Sequence, residues 1–158
     1  MKNTAILLFF AAIFLTSCDP PDPYHYGRSD FIEMKKDPCF GFCPVYSFKI
    51  DGKGNAVFEG QRNVPKEGTW ARALSADETN QLFEAFEKAG FWDFEDEYTA
   101  QVTDLPTTWV SLRLAGKSKT IKDYYGAPEG LKKLEKLVEG YAETDTGWKK
   151  TNDVPVAD

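Results

Sequence analysis

The sequence predicts an α+β fold: one domain with a mainly antiparallel sheet of about six strands and two amphipathic helices over one face. Three observations lead there. Short runs that alternate apolar and polar side chains fill the stretches 31–74 and 109–124. Gly-containing turns join several of these runs, and connections that short hold only antiparallel neighbours. Two longer segments, beginning near 75 and 128, repeat apolar residues at helical spacing instead.

The expected order is ββββαββα. Phe31 to Lys35 is the first strand. Val45 to Ile50 is the second, with Tyr46, Phe48 and Ile50 on one face and Ser47 and Lys49 on the other. The turn Asp51-Gly52-Lys53-Gly54 is rich in residues that tolerate positive φ, and it should link that strand to Ala56–Glu59 as a hairpin. Thr69 to Leu74 alternates Trp70, Arg72 and Leu74 with small residues and makes the fourth strand.

Ser75-Ala76-Asp77-Glu78 fits a capping box, in which Ser and Glu satisfy two free backbone N–H groups reciprocally. Leu82, Phe83, Phe86 and Ala89 form the apolar stripe of the helix that follows, and Gly90 is placed to end it. Trp109–Leu114 and Lys119–Tyr124 form a second hairpin turning at Gly116. Pro128 opens the last helix, which carries Leu131, Leu134, Val138 and Tyr141 on one face. Trp70 and Trp109, lying in strands, are expected in the core. Residues 144–158 form a polar tail that Trp148 alone could pin.

Ahead of this domain, assigned to 29–143, lies an export signal over 1–17. Lys2 supplies a positive start, and Ala5 to Leu15 is an apolar run too short to span a bilayer but suited to a signal peptide. Leu15-Thr16-Ser17-Cys18 resembles the lipobox of bacterial lipoproteins. That resemblance implies cleavage between Ser17 and Cys18, and a diacylglyceryl and further acyl chains such as palmitate on Cys18. The other reading is an ordinary secretory signal with a chance cysteine at its end. Two or more acyl chains, at about 0.8 kcal/mol per buried CH2, make a lasting anchor in the cell membrane or outer membrane. Residues 18–28 contain Pro20, Pro21 and Pro23 and read as an extended stalk. At about 3.1 Å per residue it would lift the domain roughly 20–30 Å from the lipid.

Composition removes several functions. The chain carries a net charge of −6 and no dense basic stripe, so nucleic acid is not an expected partner. The only histidine, His25, falls in the stalk, which leaves Ser-His-Asp and Cys-His mechanisms without an imidazole. Gly116-Lys117-Ser118 lacks the upstream glycine of a phosphate loop, where Ser111 stands instead. The Asp51 turn has Lys53, Ala56 and Arg62 where a calcium loop needs ligands and glycine. No cofactor is implied.

Cys39-Phe40-Gly41-Phe42-Cys43-Pro44-Val45-Tyr46 is the most distinctive segment. In an oxidising compartment Cys39 and Cys43 are expected to form a local structural disulfide. Unpaired buried thiols and a redox-active pair are the other readings, although active dithiols usually read C-x-x-C before a helix. Zinc would need four ligands, and the domain offers these two cysteines. Together with Asp51 to Gly54 and Phe58-Glu59-Gly60, the segment resembles an uncharacterised family of bacterial lipoproteins, the domain of unknown function 6438. Phe91, Tyr98, Thr103-Asp104, Tyr124, Gly126, Pro128, Leu131 and Leu134 are also similar, so the resemblance spans Phe31 to Tyr141. It implies a domain boundary and says nothing of an activity.

Residues 91–107 lack periodicity and gather Asp93, Glu95, Asp96 and Glu97. A solvated acidic loop held by Phe91, Trp92 and Phe94 is the expectation. A cation or ligand site using Asp96, Tyr98 and Asp104, or a carboxylate pair for acid–base catalysis, are the alternatives. The chain therefore reads as a membrane-tethered, non-enzymatic accessory or binding module, its partner an envelope protein or ligand. The rivals are a thiol–disulfide enzyme and a ligand-binding domain.

Overall fold

The computed structural model describes residues 21–151. Ser17 and Cys18, the expected cleavage and lipidation positions, lie outside the described residues, as does 152–158. The strands are β1 (Phe31–Lys36), β2 (Val45–Asp51), β3 (Asn55–Arg62), β4 (Gly68–Ala73), β5 (Glu97–Tyr98), β6 (Thr108–Leu114), β7 (Lys117–Asp123) and β8 (Lys149–Lys150). Helix α1 (Ala76–Lys88) precedes β5, and α2 (Glu129–Glu143) precedes β8. Among the described residues, all eight strands form one sheet in the order β5-β7-β6-β1-β2-β3-β4-β8, and only β5 runs parallel to its neighbour. The expected α+β class holds, with eight strands instead of about six. The two additions are two-residue strands inside the presumed acidic loop and tail, too short for any alternation to be read.

Alternation sorts the sheet into two faces. Ile32, Met34, Phe48, Ile50, Phe58, Val110, Leu112 and Ile121 point to one side and merge with Leu82, Phe83, Phe86, Leu131, Leu134 and Val138 of the helices. Glu33, Lys35, Ser47, Lys49, Glu59, Ser111 and Thr120 share the other side through the strand registers. That side carries polar pairs such as Ser111 with Thr120 (2.8 Å) and Lys122 with Glu97 (2.7 Å). Trp109 lies on this polar face, correcting its expected place in the core. Its indole Nε1 donates to Asp37 (2.7 Å), and Lys122 lies over its ring. Trp70 packs at the core margin, half-buried. Trp148 is buried against Phe48 and Phe58 and draws the tail in far enough for β8 to pair with β4.

Local signals act as expected where they are complete. Glu78 N donates to Ser75 Oγ (3.2 Å) and Ser75 N to Glu78 Oε2 (2.9 Å), so the capping box closes. These bonds, with Arg72 nearby, hold the Glu78 carboxyl below its ordinary range. The β6–β7 hairpin turns on Ala115 and Gly116, both at positive φ (51° and 81°), as a tight two-residue turn matched to strand twist requires.

The sheet has two functionally different ends. At one lie the 51–55 turn, the 114–117 turn and the N-terminal segment; at the other lie loops 37–44, 63–67 and 99–107. The part of the expected stalk from Asp22 to Arg28 is bound to the first end instead of extending freely. Tyr24 Oη donates to Leu74 O (3.0 Å), His25 N to Asn80 Oδ1 (2.9 Å), and Asn80 Nδ2 to Pro23 O (3.0 Å). Tyr26 stacks on Phe83 with ring centroids 4.5 Å apart and donates to Glu87. Burial first, and then that carboxylate, raise the Tyr26 phenol above its usual range. Gly52 makes room for the segment, since a Cβ there would lie 2.2 Å from Gly27 O. The glycines of the 51–54 turn thus serve a close approach as well as a reversal.

Candidate functional site

The opposite end of the sheet presents the most unusual surface. Cys39 and Cys43 are at bonding distance, 1.92 Å between sulfurs, and close a short loop between β1 and β2. Pro44 cannot extend a helix, and Cys43 leads directly into β2, so neither sulfur sits at a helix N-terminus. The loop is tied down on both sides. Asp37 N donates to Thr107 O (2.9 Å), and Asn63 Nδ2 to Cys43 O (3.1 Å). Inside the ring Gly41 N donates to Cys39 O (2.9 Å). Phe40 and Phe42, on either side of Gly41, are 90% and 95% exposed. Val102 and Leu105 of the neighbouring 99–107 loop add exposed apolar surface. Beside the loop, a cleft of about 290 Å³ is lined by Pro44, Tyr46, Phe58, Val64 and Lys66.

Beneath this surface, α2 lays a row of charged residues along the sheet's end. Lys36 pairs with Glu139, Tyr46 Oη donates to Glu143 (3.3 Å), and Lys66 Nζ donates to Glu143 O (3.3 Å) and Thr144 O (3.1 Å). Burial first, and the nearby glutamates second, raise the Tyr46 phenol well above its usual range. At the far end of the row, Asp123 and Glu135 face each other with side chains only 1% and 6% exposed. The Lys132 ammonium bridges them, touching Asp123 Oδ2 and lying 3.1 Å from Glu135 Oε2. Among the described residues, none donates a hydrogen bond to Asp123 Oδ1 or Glu135 Oε1. Burial, then the facing Asp123, push Glu135 up to about 7 against the pull of Lys132. Below that value Glu135 keeps its proton, which supplies a donor between the two carboxyls. Lys132 closes both carboxyls in, and the raised Glu135 value makes folding respond to pH.

The other sequence-selected residues do not converge on one point. Asp96 is exposed and pairs with Lys119 (3.0 Å). Tyr98 lies in β5 beside Asp123, with its hydroxyl accepting from Glu95 N (3.0 Å). Asp104 is exposed at positive φ (71°) and accepts from its neighbour Thr103 (2.9 Å). Phe91 is buried, and Trp92 and Phe94 pack on it edge-on. Among the described residues, no three His, Cys, Asp or Glu side chains are grouped to hold a metal.

The glycine that ends β3's motif has a steric reason of its own. A Cβ on Gly60 would lie 1.8 Å from Lys66 O, so only glycine lets the 63–67 hairpin fold back beside the disulfide loop. Motif glycines at both ends of the sheet therefore shape the two surfaces. A family model described as "Domain of unknown function (DUF6438)" matches residues 30–142. The chain belongs to this family. The DUF6438 match covers the whole sheet except β8, both helices and the disulfide loop, and it begins just after the docked segment Asp22–Arg28. Among curated proteins none matches the chain.

Sequence reasoning overlooked Asp123 and Glu135. A signal existed: Glu135 interrupts the apolar stripe between Leu131 and Val138, and Asp123 follows Ile121 on the inward face of its strand.

Proposed function

We propose that the protein is a lipid-anchored module of the cell envelope that binds a protein partner through the Cys39–Cys43 loop. The anchor rests on the order of Lys2, the apolar run Ala5–Leu15 and the lipobox ending at Cys18. The binding role is carried by one observation: two phenylalanines, 90% and 95% exposed, on a loop closed by a disulfide and tied to the 63–67 hairpin. Exposed aromatic side chains on a constrained loop lose little freedom on docking, and each offers roughly 150–250 Å² to bury. Such residues make binding anchors. Among the described residues, neither belongs to the packed core.

The test compares the wild-type lipidated chain with a Phe40→Ser/Phe42→Ser variant by chemical crosslinking in the native envelope. A discrete adduct lost in the variant, with unfolding unchanged to within about 0.5 kcal/mol, is expected. An adduct that persists, or no adduct from the wild type, overturns the binding role. In parallel, Cys18→Ala should move the chain out of the membrane fraction or arrest it as a precursor. Retention of a normally processed chain on the membrane overturns the anchor.

A further inference from the structure

Whether the phenylalanine loop meets lipid or a partner in the aqueous compartment depends on where the chain enters the domain. That entry is fixed. Tyr24, His25 and Tyr26 are bonded or stacked onto Leu74, Asn80 and Phe83, and Asp22 pairs with Lys53 of the 51–55 turn. The disulfide loop lies at the other end of the sheet, beyond the first residue of β2. Six steps along β2, from Asp51 to Val45, span about 20 Å at about 3.4 Å each. Between Cys18 and Asp22, by contrast, the chain reaches at most about 14 Å.

We infer that the docked segment Asp22–Arg28 holds the domain close to the bilayer with the Phe40–Phe42 loop turned outward, toward a protein partner in the aqueous compartment. This rests on the reading of Cys18 as the lipid-bearing residue. A fixed entry replaces the loose spacer that the prolines suggest, and it reverses the expected consequence. The domain is not lifted off the lipid; one end is kept beside it and the other is presented. Charge supports the posture, because the sides that would touch lipid if the domain lay flat are rich in charged groups, among which Phe31 lies under Lys49 and Trp109 under Lys122. The open sheet face carries Glu33, Lys35, Lys49 and Glu59, and the outer surface of α2 carries Glu129, Lys133 and Lys136. Burying such groups in a bilayer interface is unfavourable, and a net-acidic chain is repelled by anionic lipid.

Energy transfer to the vesicle surface tests the posture. The full lipidated chain is reconstituted in phosphatidylcholine/phosphatidylglycerol vesicles carrying a headgroup acceptor. A donor is attached at Lys117→Cys, on the hairpin at the anchored end, or at Leu105→Cys, beside the disulfide loop. The expected distance of closest approach is about 20 Å shorter for the donor at 117, by the strand rise that separates the two ends. Tyr24→Ala/Tyr26→Ala, which frees the docked segment, should shrink that difference at least twofold. A nearer donor at 105 overturns the inference and makes the bilayer the occupant of the loop, and equal distances overturn it by laying the domain flat on the bilayer. A chain that fails to float with the vesicles at all overturns the anchor reading itself, and is recognised before any transfer is measured.

Discussion

Replacing Glu135 by glutamine isolates the buried carboxylate pair. In the wild type, burial and the facing Asp123 raise the Glu135 carboxyl from its ordinary 4.5 to about 7. At about 1.4 kcal/mol per pH unit, that rise corresponds to about 3 kcal/mol. The sign follows from proton counting. Between about pH 4.5 and 7 the folded chain keeps a proton that the unfolded chain has released, so folding is progressively less favoured as pH rises through that window. This contribution is fully present below the lower value and gone above the upper one. Glutamine cannot ionise, and its amide can donate to the unsatisfied Asp123 oxygens. Urea unfolding of the domain from residue 19 onward, followed by tryptophan fluorescence, should show the variant more stable than wild type by about 2–3 kcal/mol near pH 8. Near pH 4.5 the two should agree within about 1 kcal/mol, because a protonated carboxyl and a carboxamide are close equivalents. A variant less stable than wild type near pH 8, or one with an unchanged pH slope, refutes the raised Glu135 carboxyl as the source of the pH dependence.

Gly52→Ala places a Cβ against Gly27 O and Tyr26, and should lower stability by about 1–3 kcal/mol while opening Arg28 to trypsin. Unchanged stability and protease resistance would contradict the docked segment. Ala115→Gly relieves a left-handed alanine and should raise stability by about 0.5–1 kcal/mol, read as a higher Tm; a lower Tm would contradict the turn geometry. Reducing the Cys39–Cys43 bond should remove about 2 kcal/mol or less and leave the far-ultraviolet circular dichroism intact, since the loop it closes is short. Loss of the whole fold on reduction would assign that bond a different role.

The long elements were legible because each carried several concordant signals. Ser75 and Glu78 announced α1, its stripe of Leu82, Phe83 and Phe86 gave the buried face, and Gly90 took the positive φ that ends it. β5 and β8 were not legible. Two residues show no period, and these strands exist because β7 and β4 offer free edges. Trp109 misled because aromatic residues in strands usually face a core, whereas here the odd-numbered positions of β6 face the polar side. Pro20, Pro21 and Pro23 suggested a spacer, while the Tyr24 hydroxyl on Leu74 O and the Tyr26 ring packed on the core bind the segment to the domain. At the candidate site the cysteine spacing was readable, but the exposure of Phe40 and Phe42 was not. Burial depends on what the rest of the chain brings nearby, and among the described residues none covers that loop. The pairing of Asp123 with Glu135 likewise depends on where α2 crosses the end of β7.

The central claim is that one end of this domain is held at a membrane while the disulfide loop at the other end engages a partner. Photocrosslinking in the native envelope tests it most directly, with p-benzoylphenylalanine in place of Phe42 or of Ser118 at the anchored end. The account predicts a discrete protein adduct from position 42 and none from position 118. No adduct from 42, or the same adduct from both positions, would contradict it.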